Sequence, residues 1–180
     1  MENPWKILSQ KEIYDNKWIN LTQYDVINPS GGTSIYGKVH FKNLAIGIVA
    51  IDAEDMVYLV GQYRFAIDQY SMELPEGGGP ENEDPLKSAK RELLEETGLK
   101  AENWEPFLTM HLSNSVTDEI AIVYIATELS QHESDPEDTE DISVIKMPFQ
   151  ELVQKILSGE ITDAITVAAI LKLAYERSIQ

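Results

Sequence analysis

The chain has 180 residues, 43% of them apolar and 25% charged, a composition that supports one packed domain with a small appendage and is too apolar for a disordered chain. It has no cysteine, which excludes disulfides, zinc–thiolate sites and thiol catalysis. Its 31 acidic residues outnumber 14 Lys and Arg, for a net charge of −17; such a surface repels phosphate backbones and anionic lipid, so neither nucleic acid nor membrane is expected as a partner, and an anionic small substrate would need a metal ion to offset the field.

The first six residues hold no basic start followed by an apolar run, and the apolar stretch 44–51 is far too short to span a bilayer, so the expectation is a cytoplasmic soluble protein. Residues 5–14, 19–28 and 33–41 read as three strands, with Pro29-Ser30-Gly31-Gly32 as the turn before the third. About 40 residues cannot bury a core alone, so residues 1–42 form an N-terminal β extension that lies on the main domain, residues 43–180, or on a second subunit. The continuous apolar run 44–51 predicts a strand buried on both faces. A turn at 52–55, a return strand at 56–64 and a short strand at 70–74 follow. Pro75-Glu76-Gly77-Gly78-Gly79-Pro80 reads as an irregular loop. Further strands are expected at 105–112, 119–128 and 142–147, with a solvated acidic loop over 133–141, where the central Gly of a calcium loop is missing. Helices are expected over 149–157 and about 163–177, broken by Ser158-Gly159, the second with Ile165, Ala168, Ala169 and Leu173 toward the core. His40, His111 and His132 form no ligand spacing.

The informative segment is 77–99. Asp84 as N-cap with Pro85 at the first position starts a helix, and Gly98 stops it. Leu86, Ala89, Leu93 and Thr97 form the core stripe, which leaves Arg91, Glu92, Glu95 and Glu96 on the opposite side. Glu92, Glu95 and Glu96 stand at i, i+3 and i+4, so their carboxylates converge, at a cost of about 0.2–0.5 kcal/mol per like-charged pair. Mg²⁺ or Mn²⁺, hard ions that take oxygen ligands, would turn that repulsion into coordination; a plain solvated acidic face is the alternative.

Gly77, five residues, Glu83, seven residues and then Arg91-Glu92-Leu93-Leu94-Glu95-Glu96-Thr97-Gly98-Leu99 together resemble the Nudix hydrolase box, matching at every specified position. The resemblance implies an α+β fold, a Nudix-type α/β/α sandwich with a mixed sheet, and Mg²⁺- or Mn²⁺-dependent hydrolysis of a nucleoside diphosphate linked to a further group. It implies Glu92, Glu96 and the backbone carbonyl of Glu76 as metal ligands, and Glu83 with Arg91 as a supporting ion pair. It places the general base on a loop past the box, at Glu119, with Glu95 second. The upstream run Val60-Gly61-Gln62-Tyr63-Arg64, the segment Met72-Glu73-Leu74-Pro75-Glu76-Gly77 and the N-terminal extension are similar to the ADP-ribose and nucleotide-sugar pyrophosphatase branch, in which such an extension helps to build a homodimer. Arg64, Glu73, Asn114 and Trp18 are the substrate-binding candidates, with Tyr36 as another stacking ring. The Ser-Pro-Gly tripeptide of ADP-ribose enzymes is replaced here by Ser113-Asn114-Ser115, which points to a broader hydrolase of nucleotide sugars such as GDP-mannose or ADP-ribose. A strict ADP-ribose pyrophosphatase and a non-hydrolytic nucleotide-sensing domain are the alternatives.

Overall fold

A computed structural model describes residues 2–133 and 142–179, so all of the acidic run but Glu133 lies outside the described residues. The elements are β1 (Lys6–Asp15), β2 (Ile19–Ile27), β3 (Thr33–Phe41), β4 (Asn43–Ala50), β5 (Met56–Arg64), β6 (Gln69–Glu73), β7 (Glu76–Pro80), α1 (Pro85–Thr97), β8 (Leu99–His111), β9 (Ile120–Gln131), β10 (Ser143–Pro148), α2 (Phe149–Leu157) and α3 (Ala164–Ser178). The N-terminal strands form their own antiparallel sheet, β1-β2-β3. The main body holds a mixed four-stranded sheet, β7-β4-β9-β8, in which β4 and β9 run parallel, and a three-stranded sheet, β10-β5-β6.

Strand β4 divides the core. Ile46, Ile48 and Ala50 pack with Ala89 and Leu93 of α1, while Val49 and Ile51 pack with Phe149, Leu152 and Ile156 of α2 and Ile165, Ala169 and Ile170 of α3. Alternate residues of a strand face opposite sides, so one continuous apolar run serves two helical layers. This is the expected α+β sandwich. Helix α1 begins and ends where its sequence predicts. The Asp84 side chain accepts the Leu86 N–H at 3.0 Å, a cap worth about 0.5–2 kcal/mol. At the other end Gly98 takes a left-handed φ of 70°.

Two expectations are corrected. Residues 76–80 are a strand, not an irregular loop: they pair antiparallel with β4 from Gly47↔Glu76 to Asn43↔Pro80. The glycines mark close approach, because a Cβ on Gly79 would meet Ile46 and Ser88 at 3.0 Å. Strand β8 also starts at Leu99, six residues before the expected 105, because its first half is held by a long antiparallel register with β9 that begins at Leu99↔Gln131.

Candidate active site

The site forms where α1 meets β7. The Glu92 carboxylate lies directly against the Gly77 backbone: a Cβ on Gly77 would fall 2.2–2.4 Å from its carboxyl atoms. The Glu76 N–H donates to Glu96 Oε2 at 2.9 Å. Arg91 ties the two elements together, donating through Nη2 to the Gly78 carbonyl at 2.9 Å and pairing with Glu92 Oε1 and Glu95 Oε2, both at 2.8 Å. The division of α1 into an apolar face and an opposite acidic one is therefore corrected. Glu92 and Glu96 are 9% and 3% exposed, standing three residues after Ala89 and Leu93 and thus bordering the core stripe, whereas Glu95 is half-buried. The expected Glu83–Arg91 pair is also absent among the described residues. Glu83 instead accepts from Lys87 Nζ and from Ser88 Oγ at 3.0 Å, bonds that hold its carboxyl below its ordinary value, because Arg91 is taken up by β7 and its neighbours on the helix.

A second cluster stands behind β7. Arg64 grips Glu73 through Nε, at 3.0 and 2.9 Å to the two carboxylate oxygens, and donates through Nη2 to Glu76 Oε1 at 2.8 Å. Glu73, expected as a substrate contact, is 3% exposed and held by Arg64. Asp163 completes an acidic trio with Glu73 and Glu76, each offering an oxygen within 4.8 Å of the others. Asp163 also caps α3 by accepting the Thr166 N–H at 2.7 Å. Burial, reinforced by the charges of Asp163 and Glu73, pushes the Glu76 carboxyl well above the usual carboxylate range, and its Oε2 is buried with no hydrogen-bond partner. The Arg64 guanidinium supplies the positive charge at the centre of this trio.

These groups open into a cleft of about 390 Å³ lined by Trp18, Phe41, Arg64, Glu76, Gly77 and Glu119 among others. Burial raises the Glu119 carboxyl above its ordinary value. Glu119, Arg64 and Trp18, which lie 46 to 101 positions apart in the chain, are thus brought to one opening. Asn114 is exposed and does not line it, and Tyr36 packs edge-to-face on Trp5 and bonds the Ser115 carbonyl, so it is not a stacking ring of this cleft.

Sequence reasoning missed Lys38, His40 and Asp118. Asp118 Oδ2 lies 3.0 Å from both Lys38 Nζ and His40 Nδ1, and Oδ1 accepts the Phe41 N–H at 3.2 Å. Burial works against ionising this carboxyl, but the three partners outweigh it and hold its pKa below the ordinary value. Lys38 and His40 share one face of β3 by their spacing of two, a signal legible in sequence; their partner, about 80 residues on, was not.

The donor set of Glu92, Glu96 and the Glu76 main chain is all oxygen and carries surplus negative charge, and it fits Mg²⁺ or Mn²⁺. The buried, unpartnered Glu76 Oε2 beside it is a further oxygen in the same acidic neighbourhood.

Comparison with known proteins agrees with this geometry. Residues 41–168 match the NUDIX domain model, and residues 5–39 match the nucleoside diphosphate sugar hydrolase N-terminal domain. The chain is 30% identical to the ADP-ribose pyrophosphatase of Bacillus subtilis (strain 168) over 177 residues, covering 97% of this chain and 95% of that one. A methanol dehydrogenase activator from Bacillus methanolicus is equally similar, at 30% over the same shares. The GDP-mannose pyrophosphatase of Yersinia enterocolitica is 27% identical over 88% of this chain and 89% of its own. A crystal structure of an ADP compounds hydrolase superposes with a TM-score of 0.84 at 18% identity, covering 95% of this chain and 92% of that one, which shows the shared fold. With its full box, its sandwich and these matches, the chain belongs to the Nudix hydrolase family, and its first sheet coincides with the segment that matches the nucleoside diphosphate sugar hydrolase N-terminal domain.

Proposed function

We propose that this enzyme is a Mg²⁺-dependent pyrophosphohydrolase that cleaves nucleoside diphosphate sugars, of the ADP-ribose or GDP-mannose type, to a nucleoside monophosphate and a sugar phosphate. The observation that carries the reading is the buried Glu92–Glu96 pair pressed onto the β7 backbone, beside a cleft that also receives Arg64 and Glu119. The relatives named for ADP-ribose and GDP-mannose hydrolysis support the substrate class.

Glu92, Glu96 and the Glu76 carbonyl would hold the metal. When bound, it neutralises diphosphate oxygens and lowers the pKa of water. The protein supplies the rest. Glu73 and Glu76 fix the Arg64 fork while its Nη1 donors stay available for a phosphate oxygen. Glu119, made more basic by burial, takes the proton of the attacking water. Glu95 is the weaker candidate because Arg91 already engages its carboxylate. The Trp18 indole, 58% exposed at the rim, offers a face to the nucleobase or sugar.

The N-terminal sheet supports a homodimer. Ile7, Leu8, Ile13, Tyr14 and Ile35 are all about half or more exposed, and a groove of about 510 Å³ runs between Trp5, Ile7, Tyr24, Val26, Tyr36 and Lys38. By register Ile7 stands on the groove side with Tyr24 and Tyr36, whereas Tyr14 and Ile35 stand on the opposite face; that second, exposed face calls for cover, and a second copy of the sheet provides it.

A hydrolysis screen over ADP-ribose, GDP-mannose, other nucleotide sugars and nucleoside triphosphates should yield nucleoside monophosphate plus sugar phosphate, and EDTA should abolish it; preference for triphosphates would reject the reading. Gly77→Ala should displace the Glu92 carboxylate and lower kcat/KM by about 10²-fold or more while circular dichroism shows a folded chain. Because Glu119 works ionised and its pKa is raised, kcat/KM should fall as pH drops, with its acid limb above the free Glu value of about 4.3, and Glu119→Gln should remove that limb and cost about 10²–10⁴ in kcat. Near-normal turnover in Glu119→Gln would strip it of the role. Light scattering on a sizing column should give twice the 20.3 kDa chain mass, reduced to one chain by Ile35→Lys; a wild-type monomer would refute the dimer.

A further inference from the structure

The segment 113–119 joins β8 to β9 and carries Glu119 at its end. It is bonded within itself, the Ser113 carbonyl accepting from the N–H groups of Val116 at 3.1 Å and Thr117 at 2.9 Å. Its base is closed by the Leu112 N–H donating to the Glu119 carbonyl at 3.4 Å, and its outer side is bound to the N-terminal sheet. The Val39 N–H donates to the Val116 carbonyl at 2.9 Å, the Asp118 N–H donates to the Val39 carbonyl at 3.3 Å, and Val39 and Thr117 form a parallel bridge. Tyr36 Oη donates to the Ser115 carbonyl. At the end of this contact Asp118 draws in Lys38, His40 and the Phe41 N–H. In a chain with 14 Lys and Arg against 31 acidic residues, committing a lysine, with a histidine ring beside it, to one half-exposed carboxylate is a costly use of a scarce cation. Surface ion pairs add little stability, about 0–1 kcal/mol each, so fold stability alone is a poor explanation. The next residue in the chain, Glu119, lines the cleft with Glu76, Gly77 and Arg64.

We propose that Asp118 is a positioning residue: by locking 113–119 onto β3 through Lys38, His40 and the Phe41 N–H, it aims the Glu119 carboxylate at the β7 side of the cleft. The N-terminal sheet is therefore a working wall of the active site within each chain, whatever its part in assembly. This inference rests on the assignment of Glu119 as general base.

The test is a double-mutant cycle on the full-length enzyme with Mg²⁺ and the preferred nucleotide sugar. Asp118→Asn keeps the shape and an acceptor for the Phe41 N–H but loses the charge that draws in Lys38 and His40. It should lower kcat by about tenfold or more with KM changed less than about threefold, because small misplacements of a reacting group cost rate rather than binding. In the Glu119→Gln background the same substitution should have no further effect. Lys38→Met, which leaves Asp118 in place, should give a smaller kcat loss that also vanishes in that background, and it decides the matter if Asp118→Asn does not fold. An unchanged kcat in both variants, or equal losses with and without the Glu119 carboxylate, would overturn the proposal while leaving Glu119 as base. Normal turnover in Glu119→Gln alone would remove the base assignment and this inference with it.

Discussion

The contact between the Glu92 carboxylate and the bare Gly77 backbone governs the rest of the structure. A carboxylate driven into a protein interior costs several kcal/mol unless charge or hydrogen bonds meet it. Here Glu92 is met by Arg91, and Glu96 by the Glu76 N–H. Arg91 is shared between Glu92 and Glu95, and Arg64 between Glu73 and Glu76, so each of these cations serves two carboxylates. Carboxylates gathered this densely by a helix and a glycine strand are what the proposed divalent cation would offset.

The precision of that corner comes from the core. Strand β7 does not hold itself: it is hung on β4, register by register, from Asn43 to Gly47. Strand β4 is in turn pinned on both faces, by α1 through Ile46 and Ile48 and by α2 and α3 through Val49 and Ile51. The N-terminus of α3 reaches the same place from the other side, since Thr166 Oγ1 accepts the Leu74 N–H at 2.9 Å and Asp163 stands beside Glu76. Side chains on packed elements hold their groups more precisely than loops do, and Glu76, Glu92 and Glu96 all stand on such elements. The exception is Glu119, which arrives on a loop and relies on a separate sheet to hold it.

Local sequence rules made much of this legible. Asp84, Pro85 and Gly98 mark both ends of α1 because caps act over a few residues, and the apolar run of β4 announces a strand with no solvent face. The same rules misread β7, where Gly-Gly-Gly between two prolines argues for a turn but the chain needs room for Glu92 and Ser88. They also missed the first half of β8: Leu99 to Glu102 alternate apolar and charged, but the run is short and breaks at Asn103, and the register with β9 carries the strand through. Ion-pair choice was the least legible part. Arg91 has Glu83, Glu92 and Glu95 within reach along the chain, and the geometry of β7 decides among them. The burial of Glu73 under Arg64 and the union of Asp118 with Lys38 and His40 depend on tertiary placement that spacing does not encode.

The placement of positive charge completes the electrostatic argument. A chain of net charge −17 repels a diphosphate at long range, yet at physiological salt fields are screened over about 8 Å, so what matters at the cleft is which groups stand there. Two of the three arginines, Arg64 and Arg91, stand on either side of β7, and the third, Arg177, lies over the Phe149 ring and pairs with Asp55. Arg64 faces the cleft while Glu73 and Glu76 hold its orientation, so the cation is preorganised but not fully spent. The local field at the cleft is therefore set by the groups that line it, Arg64, Glu76 and Glu119 among them, rather than by the net charge of the chain.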